Sequence, residues 1–84
     1  MHHELKIKDY YYQAIIEKSK NCELRYNDRD YQTGDTISFK IVYSSHTEWV
    51  YPDDYDTGKF EITHVLHYPD GLKDWWVVLS LKKI

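Results

Sequence analysis

From His3 to Lys8 the chain alternates, with Leu5 and Ile7 on one side and Glu4, Lys6 and Lys8 on the other. This is the period of a half-buried strand, whose successive side chains point to opposite faces. Asp9 is suited to cap a helix N-terminus, and from Tyr10 to Ser19 the apolar spacing becomes helical. Tyr11, Ala14 and Ile15 form a stripe that Tyr12 and Ile16 widen. Cys22, Leu24 and Tyr26 then alternate with Glu23 and Arg25, which predicts a second strand with the first three toward the core and the charged pair on the other face. Asn27-Asp28 closes it, and Gly34-Asp35 turns the chain into a third strand over Thr36 to Tyr43, where Ile37, Phe39, Ile41 and Tyr43 alternate with polar residues.

Ser44 to Gly58 is polar and acidic, carries Pro52 and Asp53-Asp54, and reads as a long excursion in which Trp49, Val50 and Tyr51 could form a short strand. Lys59 to Tyr68 is a fourth strand with Phe60, Ile62, His64 and Leu66 on one face, and Pro69-Asp70-Gly71 is a turn. Trp75 to Leu81 is apolar on both faces up to Leu79, as in a central, doubly covered strand. The order predicts a β-rich α+β fold: a curled sheet or small barrel of about five strands, with one main helix after the first strand.

Eighty-four residues suffice for one small domain, 1–84, so its core must come from a few well-packed elements. Aromatic residues at 17% supply that burial, and three Gly with two Pro argue against a disordered chain. The single cysteine, Cys22, excludes an internal disulfide, and no apolar run approaches the length of a membrane span. A soluble, cytoplasmic protein without a membrane partner is expected. The net charge of −3 provides no whole-molecule attraction for polyanions, so any such binding must come from a local basic patch.

Lys18-Ser19-Lys20-Asn21-Cys22-Glu23-Leu24-Arg25 leaves the helix and enters the second strand. It resembles the G-x-K-x-x-E-x-R signature of the ASCH domains, a branch of the PUA-like β-barrels. Lys20, Glu23 and Arg25 fall on the motif's charged positions, and Lys18 stands at its glycine. His3-Glu4-Leu5-Lys6-Ile7, Asn27-Asp28-Arg29-Asp30-Tyr31, Gly34-Asp35 and Val77-Val78-Leu79-Ser80 extend the resemblance toward a phage-associated ASCH-like family of unsettled function. The resemblance implies a PUA-like barrel and a cleft in which Lys20, Glu23 and Arg25 meet RNA or a nucleotide. Some ASCH-like proteins are amidohydrolases acting on acetylated cytidine, with a nucleophilic threonine three positions after the lysine; here that position is Glu23.

From the residues alone, Lys20 and Arg25 could face a phosphate or base edge while Glu23 orients them, or the three could form a surface ion pair worth less than about 1 kcal/mol. Arg29 could add a second rim. Trp49 and Tyr51, with Tyr55 and Trp76, are candidates for stacking on bases, although aromatics in so small a chain more often pack in the core. The alternative activity is a hydrolase of a modified nucleoside or of RNA, with Lys20 and Glu23 as catalytic groups. A third reading is a protein-interaction module that meets a basic partner through the acidic loop from Glu48 to Asp56. His64 and His67, three apart on a strand, fall on opposite faces, so neither a metal nor a cofactor is called for.

Overall fold

In the alternating segment at the start of the chain, strand β1 (His2–Lys8), the residues His3, Leu5 and Ile7 are buried and those between them are exposed. Helix α1 (Asp9–Ile16) follows directly, then β2 (Cys22–Tyr26), β3 (Thr36–Val42), β4 (Phe60–Leu66) and β5 (Trp76–Lys83). The computed structural model describes residues 1–44, 51–52 and 54–84.

The strands form one sheet in the order β1-β3-β4-β5-β2, parallel between β1 and β3 and antiparallel elsewhere. Strands β1 and β2, close in sequence, therefore occupy opposite edges. The sheet curls into a half-barrel with one helix after the first strand. The curl brings the two edges back together, and the Arg25 guanidinium of β2 donates a hydrogen bond from Nη2 to the Lys6 carbonyl of β1 at 2.6 Å. Inside lie Leu5, Ile7, Ile37, Phe39, Phe60, Ile62, Val77 and Leu79, with Tyr12 and Ile15 of α1 and Tyr31 completing the core. Helix α1 packs against β1 and β3.

The buried positions of α1 are Asp9, Tyr12 and Ile15, whereas Tyr11 and Ile16 are exposed. The buried stripe thus runs through Asp9, Tyr12 and Ile15, the face α1 turns toward β1 and β3. The helix ends earlier than predicted, at Ile16. Ser19 N donates to Ala14 O and Lys18 N to Ile15 O, both at 3.1 Å, and Lys18 takes φ +62°. This is the Schellman pairing, with Lys18 at the left-handed position where glycine is favoured. Lys18 therefore makes the turn that a glycine would make with less strain. Lys18→Gly is expected to raise the unfolding free energy by about 0.5–1 kcal/mol, read as a higher thermal midpoint with an unchanged far-ultraviolet spectrum.

Two predicted faces are corrected. In β4 the register shifts between Ile62 and His64, so a bulge at Thr63 reverses the alternation. Phe60 and Ile62 point inward, but Val65 then packs against the core, and His64 and Leu66 face out. In β2 the faces are opposite to those expected: Glu23 is buried, Arg25 is half-buried, and Leu24 and Tyr26 are exposed. The pairing gives the reason. Glu23 lies opposite Leu79 and Arg25 opposite Val77, the inward positions of β5, and directly opposed residues share a face.

Strand β5 is flanked on both edges, as expected of a central strand, but no second layer of the described residues covers its outer face. Trp76 and Val78 are half-buried there beside Leu24, Tyr26 and Leu66.

Candidate functional site

The turn after α1 and the entry into β2 assemble the charged group. Lys20 N donates to Ala14 O at the helix end, which carries the Lys20 ammonium back over the start of β2. There it pairs with Glu23 Oε1 and also donates to the Cys22 carbonyl. Two residues further on, Arg25 returns to the same carboxylate: Nε lies 3.1 Å and Nη2 3.0 Å from Glu23 Oε2. Both carboxylate oxygens are thus held by cations, and the Glu23 side chain is 7% exposed against 24% for Lys20 and 23% for Arg25. A buried carboxylate needs such partners, since an unpaired charge there would be costly. The Lys20–Glu23–Arg25 cluster is built into the barrel wall, with Glu23 holding both cations in place.

The space next to this cluster is the seam between the two sheet edges. A cleft of about 690 Å³ opens there, lined by Glu4, Leu5 and Lys6 of β1, Leu24, Arg25 and Tyr26 of β2, Asp28, Arg29 and Tyr31 beyond it, Lys40 of β3 and Trp76 of β5. Arg25 is shared between cluster and cleft, whereas Lys20 and Glu23 lie outside the lining. Arg29 shares the cleft with Arg25.

Tyr31 is buried at its floor, its amide donating to Asn27 Oδ1 at 2.9 Å. Burial raises the pKa of its hydroxyl, and Arg25 and Arg29 pull it the other way. His3 packs edge-on against Tyr31 with ring centroids 4.9 Å apart and donates through Nε2 to Asp35 at 2.9 Å. That hydrogen bond is the main reason the Asp35 carboxyl is held down at about 2, against the opposing effect of burial.

Lys6 and Lys40 are direct partners in the parallel β1–β3 ladder. Neither has an ion-pair partner among the described residues, and the same is true of Arg29. Like charges directly opposed on a sheet are destabilising. With Arg25, the cleft therefore carries four cationic side chains against two carboxylates, Glu4 and Asp28, on a chain whose net charge is −3. In the sequence, Lys6 and Lys40 are polar positions on two separate alternating strands. The two become a pair only through the β1–β3 register, and a parallel pairing between strands so far apart in sequence leaves no local signal.

The aromatic candidates separate. Trp49 lies outside the described residues, as do Glu48, Val50 and Asp53 of the acidic loop. Tyr51 is half-buried; its hydroxyl donates to Gln13 of α1, its amide donates to the Tyr43 hydroxyl at 2.9 Å, and its ring lies 5.4 Å from that of Tyr12. It packs over the helix, away from the cleft. Tyr26 and Trp76 line the cleft instead. Among the described residues no group of three His, Cys, Asp or Glu is arranged to hold a metal ion, and no helix is long and apolar enough to cross a membrane.

No curated protein matches the sequence. Residues 2–81 match the family described as Domain of unknown function (DUF3850), and with nearly the whole chain covered, the protein belongs to that family.

Proposed function

We propose that the cleft at the barrel seam binds RNA or a nucleotide, with Lys6, Arg25, Arg29 and Lys40 meeting phosphate oxygens. The observation that carries this reading is the Lys6–Lys40 pair: two ammonium groups opposed on neighbouring strands, neither ion-paired among the described residues, beside two arginines in one concave space. An anionic ligand would relieve their repulsion, and Arg25, already oriented by Glu23, would offer it a fixed planar donor. The resemblance of Lys20, Glu23 and Arg25 to the ASCH signature, and through it to PUA-like barrels, supports the same reading. In this assignment Lys20 and Glu23 are positioning residues behind the binding surface. A cytoplasmic location and a phage-related role belong to the same proposal.

The test is the affinity of the purified chain for a short labelled single-stranded RNA at several salt concentrations, compared with Lys6→Ala/Lys40→Ala. Removing two phosphate contacts is expected to lower the slope of log affinity against log salt by about 1.4, and to weaken binding most at low salt. An unchanged slope and affinity in the double variant would sink the cleft as the binding site. Product formed in these mixtures, and lost in Glu23→Gln, would instead place the protein among the hydrolases.

A further inference from the structure

Tyr26 and Trp76 are directly opposed across β2 and β5 and point to the outer side of the sheet. Their rings meet edge-on, with centroids 5.9 Å apart and planes at 68°, which leaves ring surface unstacked. Tyr26 is 49% exposed, and both rings border the cleft that holds the four cations. Beyond Trp76 stands Trp75, 71% exposed and held at φ +68°. A bulky residue in that region is strained, and the position is fixed by the Asn27 amide donating to the Trp75 carbonyl at 2.7 Å. The Trp75 indole is thus largely in solvent, on the residue next to Trp76.

We infer that Tyr26 and Trp76 form a stacking platform for an unpaired base, so that the ligand of the seam cleft is a single-stranded nucleic acid. This rests on the reading of the cleft as a phosphate-binding site. The occupant follows from what shares the cleft: Lys6 and Lys40 on the β1–β3 side, with Arg25 and Arg29 beside them, suit phosphates, and the aromatic faces of Tyr26 and Trp76 suit bases, which are the two surfaces a single strand presents together. A duplex keeps its bases stacked on one another and offers the rings only its backbone. An apolar protein surface would cover the rings but leave Lys6 and Lys40 without counter-ions.

The experiment measures binding of the full chain to three probes of equal length: single-stranded oligouridine, the corresponding duplex RNA, and a strand of abasic residues with the same phosphates. The variants are Tyr26→Ala and Tyr26→Phe, with thermal unfolding showing that both remain folded. The single strand is expected to bind more tightly than the duplex and about tenfold more tightly than the abasic strand. Tyr26→Ala should remove most of that advantage, Tyr26→Phe should retain it, and the abasic strand should bind all three proteins alike.

Equal affinity of the native protein for base-bearing and abasic strands overturns the platform while leaving the phosphate cleft standing. So does Tyr26→Ala with undiminished single-strand affinity, including the case in which that variant converts a dimer to a monomer. Failure to bind any probe overturns the cleft and the platform together.

Discussion

Glu23→Ala is expected to lower the unfolding free energy by about 3 kcal/mol, toward the lower end of what breaking a buried ion pair costs. The variant strands two cations in the barrel wall: Lys20, which also donates to the Cys22 carbonyl, and Arg25, which also donates to Lys6 O. Both side chains are about three-quarters buried, so water reaches them only partly. That partial access is why the low end of the range applies.

Replacing the whole cluster, as Lys20→Met/Glu23→Leu/Arg25→Met, removes the charges together and should cost far less than Glu23→Ala alone. Urea denaturation of the two proteins decides the point. If Glu23→Ala proves as stable as the native chain, the cluster is a solvated surface pair. The triple variant also loses the Arg25 link across the seam, so it should fold yet bind RNA more weakly.

Asp9→Ala is expected to cost a further large amount, about 2–4 kcal/mol, for a different reason. The Asp9 side chain is fully buried; Oδ1 accepts from the Tyr10 amide at 2.8 Å and Oδ2 from the Ser44 amide at 3.0 Å. It thereby joins the start of α1 to the end of β3. Alanine removes this acceptor from both half-buried amides, and the loss of each hydrogen bond falls in the lower half of about 1–3 kcal/mol. Asp9→Asn keeps one carbonyl oxygen but turns an NH₂ toward the other amide, so about half the loss should remain. Denaturation midpoints in the order native, Asn, Ala would bear this out; an Ala variant as stable as the native chain would refute it.

The succession of strands along the chain and the helix after the first strand could be read from the sequence. Strands need a period of two and the helix a period near 3.6, and these show along the chain whatever the tertiary packing. At Lys18 the left-handed position of the turn is taken by a residue other than glycine, which side-chain periodicity does not reveal.

The alternation of Cys22, Glu23, Leu24, Arg25 and Tyr26 placed Glu23 and Arg25 on one shared face, and that grouping holds. Which of the two faces turns inward was not in those residues. A polar face ordinarily looks outward, but here pairing with Val77 and Leu79 turns Glu23 and Arg25 in, and Lys20 makes the burial tolerable. The bulge at Thr63 reversed His64 and Leu66 in the same way, by changing register with no apolar residue gained or lost.

The sequence by itself determined the elements, their order and the closeness of Lys20, Glu23 and Arg25, because each depends on neighbours within a few positions. The tertiary structure alone decided that β1 and β2 face each other across an open seam, and that Lys6 meets Lys40 in the cleft beside them. It also decided that Tyr26 and Trp76, rather than Tyr51, stand at its edge. These are questions of register and curl between residues as many as fifty positions apart, and side-chain periodicity carries information only about the strand on which it is written.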